Sequence, residues 1–218
     1  MEASTAGTDY VPALGYRALT PLYDPILRAM FRERTIKTRL VMEAGLKGHE
    51  RVLDLGCGTG TLTVMLKESA RDADVVGIDA DPAVLARARA KASEAGMVIA
   101  FDEGMARHLP HADESFDAVV TSLMLHHLSR EQKAQALREV VRVLRPGGRF
   151  LAADFGIPQN RFMRSLAKVS ELLEETADGV EGRYPDMFRA AGLTEAEEIA
   201  RFMTPLGTIA LYRALKAG

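Results

Sequence analysis

Arg51-Val-Leu-Asp-Leu-Gly-Cys-Gly-Thr-Gly60 runs from an apolar segment into three alternating glycines. Val52, Leu53 and Leu55 read as a buried strand, interrupted by Asp54 just before the turn. Glycine lacks a Cβ, so it tolerates positive φ and lets a ligand approach the backbone closely. Thr61-Leu-Thr-Val-Met-Leu-Lys67 has helical composition. A strand, a glycine turn and a helix N-terminus in that order make a ligand site.

The chain alternates outward from that stretch. Helix 61–69 precedes a strand over Asp74–Ile78 that ends at Asp79. A helix at 82–95 carries Val84, Leu85, Ala88 and Ala92 at helical spacing and closes at Gly96. Met97–Phe101 reads as a third strand and Phe116–Ser122 as a fourth. Ser129 with Gln132 three residues on predicts a capping box for a helix to about Leu144. Arg145-Pro-Gly-Gly148 ends that helix, and Arg149–Asp154 is a fifth strand. Strands alternating with helices predict a parallel α/β sheet with helices on both faces. A helix is expected upstream at about 26–44, and two more at 160–176 and 184–191. Two apolar runs over 194–215, parted by Pro205 and Gly207, predict an antiparallel hairpin at the sheet edge.

The 218 residues suit one domain, and 47% apolar with 27% charged residues is a soluble composition. A net charge of −2 gives no basic field for nucleic acid. The single cysteine, Cys57, allows no internal disulfide and is compatible with a reducing, cytoplasmic setting. The first ten residues lack a basic n-region and an apolar h-region, so no secretory signal is expected there. The longest uncharged, largely apolar stretch, Ala118–Leu128, is too short to span a bilayer.

The dinucleotide pattern G-x-G-x-x-G fails at its last position, where Thr61 stands. Asp54 can hold a cationic amino group above the turn, directly or through water. Asp79 lies where an acid takes ribose hydroxyls. Val52-Leu-Asp-Leu-Gly-Cys-Gly-Thr-Gly60 resembles motif I of class I S-adenosylmethionine-dependent methyltransferases. Leu109-Pro110, Ser115-Phe-Asp-Ala-Val-Val120, Leu125-His-His-Leu128 and Arg142-Val-Leu-Arg-Pro-Gly-Gly148 are similar to later blocks of the subgroup that includes the ubiquinone/menaquinone C-methyltransferases. The resemblance covers roughly residues 50–155.

The resemblance implies a Rossmann-like, seven-stranded, mostly parallel sheet in the order 3-2-1-4-5-7-6, with the last strand antiparallel. It implies an N-terminal helical cap at 1–45 and a methyltransferase domain at 46–218 with a lid at about 158–192. S-adenosylmethionine is the implied cofactor, with no metal. The implied cofactor residues are Tyr23, Asp54, Gly56, Cys57, Gly58, Gly60, Asp79, Ala80, Met105, Ala106, Thr121 and Ser122. The family usually has Gly-Asp-Ala after the third strand, where its Asp accepts from the adenine amino group. Here the block is Gly104-Met-Ala106, so Met105 is expected to pack on the adenine face while a backbone group or His108 reads the ring edge.

The acceptor wall is less explicit. His126 and His127 follow the fourth strand as a base or a substrate-positioning pair, or else they cap backbone and pack under the next helix. Tyr23-Asp24 resembles a pair that folds over the cofactor, and reads equally as a helix cap with a packed Tyr. Asp154 binds a polar substrate group or caps the turn at Gly156, and Phe155 lines the same side. Phe162, Leu166, Val169 and Leu173 step along one helical face flanked by Arg161, Arg164 and Lys168, which is a lid or a weak contact with an anionic bilayer. The acceptor is expected to be a small molecule, quinone- or phenol-like, or a lipid or amine. Ser122-Leu-Met-Leu125 in place of an Asn/Asp-Pro-Pro-Tyr element argues against base methylation of nucleic acid. Two other readings remain: a non-catalytic nucleoside-binding module, which Met105 favours, and a nicotinamide oxidoreductase, which Thr61 disfavours.

Overall fold

The computed structural model describes residues 33–165, 167, 175–205 and 207–218. Seven strands form one sheet: β1 Arg51–Leu55, β2 Asp74–Asp79, β3 Ala100–Glu103, β4 Phe116–Ser122, β5 Leu144–Phe155, β6 Leu193–Thr204 and β7 Gly207–Lys216. Their order is β3-β2-β1-β4-β5-β7-β6. The first five pair in parallel, and β7 runs antiparallel to both β5 and β6. The helices are α1 Glu33–Ala44, α2 Thr61–Ser69, α3 Pro82–Glu94, α4 Arg130–Val143, α5 Ala177–Val180 and α6 Tyr184–Ala191. The expected parallel sheet and terminal hairpin are both present.

Strand periodicity assigns the faces, because successive side chains point to opposite sides. Leu53 and Leu55 join Val76, Ile78, Leu137, Val140 and Phe150 in one core layer. Val52 joins Ile36, Leu40, Leu62, Leu66, Val75 and Leu151 in the other. Asp54 shares its parity with Val52, so it faces α1 and α2. Burying each such leucine contributes about 2 kcal/mol, which is why a five-residue strand suffices at the sheet centre.

Caps set the helix starts. Ser129 Oγ accepts from Gln132 N at 3.3 Å and Gln132 Oε1 accepts from Ser129 N at 3.0 Å, so the expected capping box opens α4. Asp81 caps α3 ahead of Pro82. Two strand boundaries differ from expectation. Pairing of the third strand begins at Ala100 rather than Met97, because Met97 N is still bonded to Ala92 O at the end of α3. The fifth strand begins at Leu144, opposite Phe116, and a bulge over 145–148 returns it to register at Arg149. Of the expected helix at 26–44, the part before residue 33 lies outside the described residues. Residues 161–165 are helical, and Leu166, Val169 and Leu173 lie outside the described residues.

One buried charge anchors the segment after the fifth strand. Lys133 on α4 is 1% exposed, and its Nζ donates to Glu175 O at 2.7 Å and Asp178 Oδ2 at 3.1 Å. Arg183 and Arg130 also flank Asp178, at 3.4 and 3.6 Å. Asp178→Ala strands the buried ammonium and should cost about 3–4 kcal/mol in urea unfolding, whereas Lys133→Met, which leaves Asp178 two arginines, should cost well under half of that.

Candidate active site

The glycine turn follows β1 at the carboxyl end of the parallel strands. Gly56, Gly58 and Gly60 all have positive φ, at 71, 52 and 73°. Their missing Cβ atoms serve different ends. A Cβ at Gly60 would lie 2.8 Å from Ala88 Cβ, so that glycine lets α3 approach the turn. A Cβ at Gly56 would lie 2.4 Å from Met124 Cγ, so the loop after β4 closes over the turn there. A Cβ at Gly58 would meet nothing within 4 Å. Gly58 is therefore the open floor of a cradle.

Two carboxylates brace that floor. Asp79 Oδ2 accepts from Gly58 N at 2.8 Å and its Oδ1 from Asp81 N at 3.0 Å. Burial holds the Asp79 carboxyl above its ordinary range. Asp54 is 1% exposed and accepts from the Thr63 hydroxyl at 2.6 Å. It also takes the Thr63 amide, so it ties β1 to the first turn of α2 from beneath. Burial pushes the Asp54 carboxyl up to about 6, against the pull of Thr63 and of the Lys37 charge on α1. Cys57 is buried in the turn, and burial drives its thiol upward, away from thiolate chemistry. Lys91 Nζ donates to Thr59 Oγ1 at 3.2 Å and Thr61 Oγ1 at 2.6 Å, holding the outer side of the turn.

The remaining walls come from the loops after β2, β3, β4 and β5. Ala80 is half-buried beside Asp79. Met105 and Ala106 are half-buried, and Met105 bridges to the exposed His108 through His108 N to Met105 O at 3.0 Å. Helix α4 clamps this loop: Glu139 accepts from Leu109 N at 2.7 Å, and Arg142 donates to the carbonyls of Leu109 and His111. Thr121 is buried with its hydroxyl donated to Leu55 O at 2.7 Å, while Ser122 is half-buried at the strand end. Leu123 is left-handed at φ 56°, which turns the chain so that Met124 caps Gly56 and Leu125–His127 forms a single 3-10 turn.

That turn brings His126 to Asp154. His126 Nδ1 lies 2.8 Å from Asp154 Oδ1, and both residues are buried. Burial alone would raise the Asp154 carboxyl, but the His126 imidazole and its hydrogen bond hold it below its ordinary value. The rings of Phe155 and His127 lie 5.0 and 4.0 Å from that of His126. Burial, then the neighbouring His126, pushes His127 down to about 4, so it is neutral at physiological pH. His126, His127, Asp154 and Phe155 are thus brought together. Asp154 Oδ1 is engaged by His126 Nδ1 and by Phe155 N, and its Oδ2 accepts from His126 N at 3.4 Å. Phe162 is 66% exposed and stands apart from this group. Tyr23 lies outside the described residues.

The comparisons with known proteins agree with this geometry. Residues 52–148 match the model of the methyltransferase domain family. A demethylmenaquinone methyltransferase of Deinococcus radiodurans is 32% identical, covering 93% of this chain and 87% of that protein. The chain belongs to the class I S-adenosylmethionine-dependent methyltransferases, of the ubiquinone/menaquinone type. A 27-O-demethylrifamycin SV methyltransferase of Amycolatopsis mediterranei is 32% identical over 80% of this chain and 66% of its own. Among solved structures, the YcgJ protein of Bacillus subtilis superposes with a TM-score of 0.67 at 21% identity, covering 84% of this chain and 98% of that one. The methyl donor is S-adenosylmethionine, and the readings as a non-catalytic module or a nicotinamide enzyme give way. The open cradle over Gly58, braced by Asp79 at its amide and by Asp54 beneath the turn, fits such a donor.

Several contributors had no signal in the motifs: Thr63 beneath Asp54, Met124 over Gly56, Lys37 on α1 and the left-handed Leu123. Only the parity of Asp54 with Val52 pointed toward α2.

Gly58→Ala should keep most of the fold, at roughly 1–2 kcal/mol of left-handed strain, while calorimetric affinity for S-adenosylmethionine drops at least about tenfold. Gly60→Ala should instead lower the unfolding midpoint of the unliganded protein. A cationic ligand group favours ionised Asp54, so donor affinity should rise as pH climbs through about 6, and Asp54→Asn should flatten that rise.

Proposed function

We propose that the protein methylates a ring carbon of a hydroquinone or related phenol. The observation that carries this reading is the buried His126–Asp154 pair beside the donor cradle. A phenol is a poor nucleophile until its proton is removed, which is when a positioned base helps. With Nδ1 engaged by Asp154, the proton-accepting atom of His126 is Nε2. The Asp154 charge then stabilises the imidazolium that forms, as in other oriented His–carboxylate pairs. Removing the hydroxyl proton sends electron density to the adjacent ring carbon. S-adenosylmethionine would supply a methyl group on a positively charged sulfur, open to in-line displacement and leaving as a neutral thioether, and the ring carbon that takes the methyl gives up its own proton to restore the aromatic ring. The buried Phe155 ring packs edge-on against the imidazole and shields that side of it from water.

The relatives named for demethylmenaquinone support a quinone-type acceptor, and the rifamycin relative shows a methyl acceptor of another kind in a protein of comparable identity. Asp54, Asp79 and the glycine turn hold the donor, and Met105 packs on its adenine while the Met105–His108 backbone meets the ring edge. Residues 158–192 serve as the lid, and residues 1–45, including Tyr23, as a cap. The lid assignment draws on Gly179, where a Cβ would come 2.2 Å from Phe155 O, so this segment lies directly against the end of β5.

The test is methyl transfer to a reduced short-chain naphthoquinone lacking the ring methyl, with the product assigned by proton NMR. A new ring-methyl signal is expected. His126→Gln and Asp154→Asn should each lower kcat by about 10²-fold or more with little change in donor affinity. A product methylated on oxygen, or full turnover by both variants, would overturn the reading.

A further inference from the structure

We infer that the tip of the β6–β7 hairpin and its flanks form a docking surface for an anionic lipid bilayer. The inference rests on the proposed phenolic acceptor in one respect: a fat-soluble acceptor is what such a surface would deliver.

Large apolar side chains exposed among the described residues are few. Met42, Ile157, Phe162 and Met203, at 67, 37, 66 and 47%, are four of the five, with Val98 elsewhere. They gather around the outer end of β6. Phe202 and Met42 share a groove of about 470 Å³ with Arg34, Thr35, Thr38 and Arg39. Met203 is the next residue of the strand, so it faces the opposite side, where its sulfur meets Asn160 Nδ2 at 3.5 Å. Phe162 follows two residues later. The apolar rim therefore wraps both sides of one hairpin end. That end is near the active site, since Met203 pairs with Thr208 and the adjacent Ile209 pairs with Phe155.

The charges around the rim that are left without an ion pair among the described residues are of one sign. Arg34, Arg161, Arg164 and Arg201 are exposed. Glu43 and Glu198 are already paired, with Arg39 and Arg201. Arg34, Arg161 and Arg164 make no ion pair among the described residues. The molecule as a whole is slightly acidic, so this is a local basic field on an apolar rim. Apolar side chains ringed by arginines match the acyl boundary and the phosphates of an anionic leaflet. No helix among the described residues is long and apolar enough to cross a membrane, so the contact is peripheral. A wedge inserted tip-first would hold the carboxyl ends of β4 and β5, and thus His126, near the headgroups.

The experiment uses the full chain and vesicles of phosphatidylcholine, with and without an equal share of phosphatidylglycerol. Co-sedimentation is expected with the anionic vesicles, weakening steeply with salt. Arg161→Gln/Arg164→Gln should lower the partition coefficient by at least about tenfold. Met42→Ser/Met203→Ser should lower it by a similar factor. Both double variants should keep the wild-type unfolding midpoint in urea, so that a lost partition coefficient reports the surface and not the fold. Absence of vesicle binding, or binding unchanged in both variants, would overturn the inference. So would release by millimolar phosphate at constant ionic strength, which would mark a free-anion site. A dimer that Met42→Ser/Met203→Ser dissociates would assign the rim to a second copy. Vesicle binding without turnover of any hydroquinone would sink the acceptor reading alone, and turnover in solution without vesicle binding would sink the docking surface alone.

Discussion

The Asp54 carboxylate beneath the glycine turn is the constraint on which the site depends. It is buried between β1 and α2, and Thr63 is what makes that burial tolerable. A carboxylate in such a place is costly without partners. Here it closes the strand-to-helix turn and fixes where Gly58 lies. Asp79 then fixes the Gly58 amide from the neighbouring strand. The cradle is thus defined by two acids that hold the strand-to-helix turn from the protein side. Burial raises the proton affinity of both.

The frame of the molecule was legible because each element carried a local signal that agreed with its neighbours. Helix α2 and strand β1 match the expected boundaries, and the Ser129–Gln132 box opens α4 as read. The third strand slipped by three residues because the last turn of α3 borrowed Met97, a bond between backbone atoms that side-chain patterns do not encode. The bulge at 145–148 was read as a break because prolines and glycines mark both features.

The site was legible in its donor half only. Glycines and acids at set spacing are a signature of chemistry, and they identify themselves. The acceptor half depends on which residues meet after folding. His126 and Asp154 are 28 positions apart, and their contact needs β4 and β5 in register. Leu123 carries the unusual backbone angle that makes the meeting possible, and nothing in a leucine announces it.

Met124 over Gly56 has a wider consequence. It interlocks the glycine turn after β1 with the loop that carries His126. The distance between the turn and the His126 ring is then set by the register of β1 and β4. The segment beyond β5 is joined to that sheet through separate contacts, at Lys133, Asp178 and Gly179. Changes there can alter the surface beside Phe155 while leaving the turn after β1 and the loop after β4 locked together.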